Sequence, residues 1–372
     1  MLLLHMIHYK AYKPASIGHH VPDTPRISCV LAVCNGEAYL RESIQSIQAQ
    51  TFRDWELIVV DDGSTDRTPK ILDQFQREDA RIRIFSHEKQ GLVASLNHGI
   101  MMARGEYIAR MDADDVSMPE RFAIQLEYLD GHHDIGVCGS SIETFGADSS
   151  EVVEYPGEDG VIRCQLLFSS SLAHPVTMFR RSLILHHRLF YNERALHAED
   201  YDLWVRAAQH TRFANIPLVL LRYRTHPHQI GHRFGGKMDE SSQTIRLTQL
   251  ARLGISATAE EAQLHHHISR WKFESSTTFL SSTRAWFDKL IKMNGSAKVY
   301  PEAELVTVLG RRWSDVCLSA THEGLHTLFE FWRAPRMAAA VWSPRQHLKF
   351  VVKCLLRKDP HTKFMRMGRA AS

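Results

Sequence analysis

The stretch "RMDADDVSMPER" (110–121) crowds four acidic residues, Asp112, Asp114, Asp115 and Glu120, into one short segment. It follows "EYIA", which reads as a β-strand. Carboxylates one residue apart at a strand end can share one side of a turn. Their repulsion within a few ångströms is costly unless a cation offsets it. Mg²⁺ and Mn²⁺ prefer oxygen ligands and typically take one or two carboxylates together with substrate phosphates. One reading is therefore a divalent ion bridging the protein to a diphosphate. The other is an acidic loop favoured by the start of the next helix. D-x-D alone does not separate them.

Two further segments carry the same kind of residue. "VVDDGSTDRT" (59–68) sets Asp61 and Asp62 at a strand exit, with Gly63 to turn the chain. These carboxylates can accept hydrogen bonds from a base or ribose. A simple strand-to-helix turn explains Ser64 and Asp66 but not the paired aspartates. "AED" (198–200) puts Glu199 and Asp200 at a helix start. The helix dipole alone favours acids there. Beside a diphosphate, such a carboxylate can instead act as general base toward an incoming hydroxyl. His226 in "YRTHPHQ" follows a strand and is a candidate third metal ligand, with His228 a weaker one.

The elements that must position these residues follow from periodicity. "RISCVLAV" (26–33), "WELIVV" (55–60), "RIRIF" (81–85) and "EYIARM" (106–111) read as strands, the first two buried on both faces. Helices are expected over 35–52, over 68–78 with Thr68 as cap and Pro69 in the first turn, and over 91–103. Ser117 and Glu120 suggest a capping box for a helix beginning at "PERF". Such alternation predicts an α/β fold, a mostly parallel sheet with helices on both faces. Ligands bind beyond the carboxyl ends of such strands. "CN" (34–35), "DDGS" (61–64) and "DADD" (112–115) all lie there. Downstream, "IGVCGSS" (135–141) reads as a strand and "HPVTMFRRS" (174–182) as a strand and turn. "HAEDYDLWVRAAQ" (197–209) is a helix with Leu203, Trp204 and Ala207 inward, and 217–225 is a strand. Beyond about 235 the pattern is helical.

Composition sets bounds. The chain has 372 residues, 44% apolar and 23% charged, ordinary for a globular protein, and a net charge of +3 gives no case for nucleic acid. Six scattered cysteines suggest a reducing compartment. "MLLLHMIHYK" makes a poor signal peptide, and no run approaches ~18 apolar residues. The histidines of "LHHHIS" (264–269) are expected on a solvated helix face. Residues 345–369 carry eight Lys or Arg and one acid. Arg345, Lys349, Lys353 and Arg357 recur every four residues beside Leu348, Val351, Val352, Leu355 and Leu356. That pattern fits an interfacial helix on anionic lipid, or a solvated face of a packed helix.

The segments "ISCVLAVCNGEAYLRESIQSIQAQTFRDWELIVVDDGSTDRT" and "GLVASLNHGIMMARGEYIARMDADDVSMPERF", followed by "HPVTMFRRS", "AEDYDLWVR" and "YRTHPHQ", resemble the family 2 inverting glycosyltransferases. The resemblance covers roughly residues 26–230 and implies a GT-A (Rossmann-like) nucleotide-diphospho-sugar transferase fold over 26–232. An N-terminal extension would occupy 1–25 and a mostly helical region with a basic tail 233–372. It further implies that Asp62 contacts the nucleobase and that Ala32, Cys34 and Asn35 lie along the nucleoside. Asp112 would serve the ribose and, with Asp114, a Mn²⁺ or Mg²⁺ ion, with His226 beside it. Asp200 would be the catalytic base, next to Glu199. Ala32 and Cys34 stand where many relatives carry a hydroxyl or aromatic residue, which leaves the donor open. A UDP-sugar is the first expectation, with a hexosyl or N-acetylhexosaminyl group moving to a saccharide, free or lipid-linked, in surface polysaccharide assembly. The expected place is cytoplasmic, at the inner face of the plasma membrane. Arg180 and Arg181 are read either as phosphate or acceptor contacts or as surface charges. A polyprenyl-phosphate glycosyltransferase, a haloacid-dehalogenase-like phosphatase and an inactive sugar-nucleotide-binding module are the alternatives.

Overall fold

Strand β1 (Ile27–Val33) is buried on both faces, and its side chains divide by alternation. Ile27, Cys29, Leu31 and Val33 join one core, while Val30 joins a second on the opposite face. Strands β2 (Trp55–Asp62), β3 (Ile82–His87) and β4 (Tyr107–Asp112) pair in parallel in the order β3-β2-β1-β4. Helices α1 (Leu40–Gln48), α2 (Thr68–Glu78) and α4 (Arg121–Gly131) cover the first face, and α3 (Leu92–Met102) the second. The computed structural model describes residues 24–146, 150–226, 235–339 and 343–357. The extension expected at 1–25 lies almost wholly outside them, as do His228 and the tail beyond Arg357.

The parallel expectation holds for these four strands and changes beyond them. Strand β5 (Val116–Ser117) follows the acidic loop, and β6 (Ile135–Gly146) and the short β7 (Val152–Val153) come next. Helix α5 (Asp159–Gln165) leads to a 3₁₀ turn at His174–Val176 and to β8 (Met178–Arg180), which runs antiparallel between β4 and β6. Helix α6 (Arg181–His187) occupies the place expected for a turn. Helix α7 (Glu199–Ala207) then buries Leu203, Trp204 and Ala207, as its spacing predicted. Strand β9 (Arg212–Thr225) pairs in parallel with β6 and antiparallel with β5. It thereby returns the chain to the acidic loop.

Two expected caps are replaced by tertiary contacts. Thr68 lies inside α2, where its hydroxyl accepts from the Gly36 amide at 2.8 Å. Asp66 does the capping work, accepting from the Thr68 amide at 2.8 Å. Ser117 is buried in β5, accepting from the Gln50 amide group at 3.1 Å, and α4 begins at Arg121 without a side-chain cap.

The C-terminal third is helical, as expected: α8 (Gly235–Arg252), α9 (Ala259–Ser269), α10 (Thr277–Ala297), α11 (Glu302–Ser319), α12 (Leu325–Trp332), α13 (Pro335–Ala339) and α14 (Pro344–Leu355). Phe287, Leu309, Trp313 and Phe331 form a third core, which also takes in Cys164, Leu167 and Phe168 from α5 and its exit. The helices thus continue the sheet domain's packing. The histidine cluster departs from expectation. His265 is a core residue, held by Trp286 Nε1–H on its Nδ1 (3.1 Å) and by the Leu167 carbonyl at its Nε2 (3.0 Å). The indole can only donate, so Nε2 carries the ring proton. Burial pushes its pKa down to about 3. Among the described residues no helix is long and apolar enough to cross a membrane.

Candidate functional site

Register places the strand ends side by side. Ala32 lies opposite both Val60 of β2 and Asp112 of β4, and Asp62 lies opposite His87. The loops after β1 and β2 are then stitched together. The Asn35 amide donates to Ser64 Oγ (2.8 Å), and Asn35 Oδ1 accepts from the Thr65 amide (2.8 Å). The Arg67 amide donates to Glu37 at 2.8 Å. Gly63 turns at φ +67°, where a Cβ would meet the Lys89 amide nitrogen at 2.9 Å. Asp62 is buried and accepts from the Gln90 amide (2.7 Å) and the Gly91 amide (3.0 Å), which holds the entrance of α3. Oδ1 takes both of these bonds, while Oδ2 accepts only from the Gly91 amide (3.0 Å) and keeps a lone pair for a ligand. Cys34 is exposed at the same edge; partial desolvation raises the pKa of its thiol, Lys89 opposes, and Asp62 and Asp61 add to the rise.

The acidic loop is built from both ends of the domain. Asp112, Asp114 and Asp115 each offer a carboxylate oxygen within 4.8 Å of the others. Asp115 is fully buried; one oxygen accepts from the Arg224 amide (2.8 Å) and Oδ2 has no hydrogen-bond partner. Burial and then Asp112 raise the pKa of Asp114, and burial and both neighbours raise that of Asp115 well above the usual range. His226 Nε2 lies 3.0 Å from Asp114 Oδ2, and its ring sits 5.2 Å from that of Tyr39. Arg224 Nε donates to the Asp114 carbonyl at 2.7 Å, and its guanidinium lies 4.4 Å from the rings of both Tyr39 and Phe145. Arg224 stands inside "YRTHPHQ", where nothing local marks it as a site residue. Nor does local pattern mark Arg110, a buried cation inside β4 that forms an ion pair with Asp112.

Glu199 and Asp200 open α7, and the Arg110 charge acts on both. Glu199 is buried and Asp200 half-buried. Burial, then the Asp200 charge, push Glu199 up to about 7. Burial also raises Asp200, while its backbone contact at Tyr201 and the Arg110 charge pull it back. Arg110 and Asp112 both act on Glu199, so the two acidic clusters share one electrostatic neighbourhood. Tyr191 lies between them: burial raises its phenol, Arg110 opposes, and Asp200, Glu199 and Asp112 add to the rise. His174 Nε2 sits 2.7 Å from that phenol, and burial with Arg110 keeps the imidazole neutral.

The nine residues singled out from sequence, Ala32, Cys34, Asn35, Asp62, Asp112, Asp114, Glu199, Asp200 and His226, thus meet at one edge of the sheet. Arg180 and Arg181 do not. Arg180 pairs with Tyr107 Oη (2.9 Å) and the Leu129 carbonyl (2.7 Å), at the opposite end of β4 from Asp112. Its donors are spent on holding β8 to the helix α4 exit, so the phosphate or acceptor role is removed.

Glu199 gives a stability test. Its folded pKa, about 7, exceeds the ordinary 4.5, so the folded chain holds this proton more tightly than the unfolded one. Stability therefore falls as pH rises between those values, and the whole penalty is present above them. Glu199→Gln removes it. Thermal unfolding of the cation-free protein at pH 8 will show Tm raised by roughly 2 °C or more, with little change at pH 5.

Comparison with known proteins bears on the family. The family model described as "Glycosyl transferase family 2" matches residues 28–187. An uncharacterised glycosyltransferase of Haemophilus influenzae is 31% identical over 60% of this chain and 72% of its own length. EpsH of Bacillus subtilis is 30% identical over 72% of this chain and 82% of its own. WbnJ of Escherichia coli, an O-antigen biosynthesis glycosyltransferase, is 33% identical over 54% and 80%. The S. aureus TarS 1–349 crystal structure with UDP-GlcNAc shares the fold, at a TM-score of 0.52 and 18% identity over 85% of this chain and 89% of that one. The GT-A sheet, the acidic strand ends and these relatives lead to one conclusion: the chain belongs to glycosyltransferase family 2.

Proposed function

We propose that this chain is an inverting, divalent-cation-dependent transferase that moves a hexosyl or N-acetylhexosaminyl group from a nucleoside-diphosphate sugar to a saccharide hydroxyl. The observation that supports it most is that the Arg110 charge acts on two carboxylate sets, Asp112 with Asp114 and Asp115, and Glu199 with Asp200. The first set fits a hard cation. Its donors are carboxylate oxygens, and Asp115 Oδ2 is a buried acceptor with no partner. Asp112 and Asp114 would hold Mn²⁺ or Mg²⁺, with His226 against Asp114. When bound, the ion would neutralise charge on the departing diphosphate.

The chain's own residues do the rest. Asp62 and the loop from Ala32 to Asn35 hold the nucleoside. Asp200 accepts the proton of the acceptor hydroxyl as that oxygen bonds to the anomeric carbon. The bond from that carbon to the diphosphate oxygen breaks, its electron pair leaves with the nucleoside diphosphate, and configuration inverts. Glu199, protonated below about pH 7, places no second charge beside Asp200 there.

A surface polysaccharide intermediate, free or lipid-linked, is the proposed acceptor, in line with the named role of the E. coli relative. The proposed location is the cytoplasmic face of the plasma membrane, reached through the basic helix α14. The polyprenyl-phosphate alternative gains no support from the described residues, which hold no spanning helix.

The test is nucleotide release from a panel of sugar nucleotides, UDP-sugars first, with Mn²⁺, Mg²⁺ or EDTA. Release from one donor that requires the cation is expected. Absence of release, together with absence of nucleoside diphosphate binding by calorimetry, overturns the reading.

A further inference from the structure

Most exposed apolar side chains on a protein surface are scattered singly and need no account. Here they gather on two neighbouring helices. Helix α12 buries Leu328 and Phe331 and turns Leu325, Phe329 and Trp332 outward, with Leu325 70% and Trp332 59% exposed. Helix α14 repeats the arrangement. Phe350 and Cys354 face the core, while Leu348 (65%), Val352 and Leu355 (60%) face out at the same i, i+4, i+7 spacing. Such spacing leaves one continuous apolar stripe on each helix.

The two helices lie side by side and antiparallel. The Phe331 ring, near the end of α12, is 4.8 Å from Phe350 and 5.7 Å from His347, in the first half of α14. Gly324, at the start of α12, approaches Cys354 and Arg357 at the other end. Charge around the stripes is mostly positive, with Glu323 in the turn before α12 a partly exposed acid beside His322. Residues 343–357 contain Arg345, Lys349, Lys353 and Arg357 and no acid. The acid of α12, Glu330, is buried and bound to Arg284 at 2.7 Å.

We propose that α12 and α14 together form a docking surface for an anionic lipid bilayer. Phe329, Trp332 and Leu348 enter the headgroup boundary, and the arginines and lysines of α14 engage lipid phosphates. A stripe of apolar and aromatic residues beside a basic row suits a helix lying in the interfacial plane. A second copy of this chain fits less well, because a two-fold contact through this face would set the basic rows against each other. The surface deepens the lipid-linked acceptor reading and takes its biological sense from it. It extends the basic stripe of α14 to a second helix that carries aromatics and no net positive face of its own.

The experiment uses the full chain and vesicles of phosphatidylcholine with or without phosphatidylglycerol. Co-sedimentation is expected with the anionic vesicles and to weaken with salt. Phe329→Glu with Trp332→Glu, on α12 alone, should lower vesicle affinity about ten-fold or more, and Lys349→Glu about five-fold or more. Both variants should keep the parent's cation-dependent nucleotide release in vesicle-free buffer, which also reports their folding. Unchanged vesicle binding by the α12 double variant overturns the two-helix surface. A dimer in sedimentation velocity that the same double variant dissolves assigns the face to self-association and overturns it as well. Intact release with no vesicle binding refutes the surface alone. Absence of release by the parent, together with absence of nucleoside diphosphate binding, refutes the transferase reading and leaves vesicle binding to be judged separately.

Discussion

Asp200→Asn will bind the donor nucleotide as the parent does and transfer sugar about a thousand-fold more slowly, within the span that a positioned general base contributes. Asparagine keeps the shape of aspartate at the start of α7 and can still accept there, so the helix entrance survives. What it loses is the ability to take a proton. The measurement is kcat at saturating acceptor, set beside the Kd of the nucleoside diphosphate with Mn²⁺. A fall in kcat with Kd held within about two-fold marks an interaction made in the transition state. Retained transfer would remove Asp200 from the role and move attention to Glu199.

The pH profile of the parent carries the same argument. A general base works when ionised, so the rate climbs with pH through the pKa of Asp200. Burial raises that pKa, and the Tyr201 backbone and Arg110 limit the rise. The acid limb will therefore lie above the ordinary aspartate range. Glu199 adds a second step near 7, because its ionisation places a like charge beside the already ionised Asp200. Glu199→Gln removes that second ionisation, and the profile should then follow a single step.

The parts of this arrangement that were legible in sequence are those written in local pattern. Strands β1 to β4 stood out because apolar runs end in polar loops, and Asp62, Asp112 and Asp114 are where those runs stop. Asp200 was legible as the acid at the head of an amphipathic helix. Residues whose role depends on distant chain were not. Arg110 reads as one residue of a strand, and only the fold makes it the buried cation that acts on two acidic clusters. Arg224 reaches the acidic loop across 110 positions of sequence. Thr68 and Ser117 have the right residue types for caps, but the Gly36 amide and Gln50 claim their hydroxyls first. His265 sits in a polar stretch and is taken into the core by Trp286, a residue of the next helix. Helical periodicity located α12 and α14 without showing that Phe331 meets Phe350.

Asp114→Asn will separate the cation's contribution from the fold's. Asp112, Asp114 and Asp115 lie within 4.8 Å of one another, and burial with mutual repulsion raises the pKa values of Asp114 and Asp115. Without a cation these charges oppose folding. Asparagine removes one of them and keeps an oxygen for His226, now 3.0 Å from Asp114 Oδ2. In EDTA the variant should therefore unfold at a higher temperature than the parent. With Mn²⁺ and a nucleoside diphosphate the order should reverse, because the parent gains binding energy, about 2.7 kcal/mol when the ligand stands at a hundred times its Kd. Loss of a supporting group around a metal typically costs ten- to a hundred-fold in affinity. Loss of a carboxylate from the ligand set itself should cost about a hundred-fold or more in Mn²⁺-dependent nucleotide binding, measured by calorimetry. In EDTA the two proteins should bind the nucleotide alike. A variant less stable than the parent in both conditions would make Asp114 a structural residue of the loop, and equal nucleotide affinity with Mn²⁺ would take the cation away from this site.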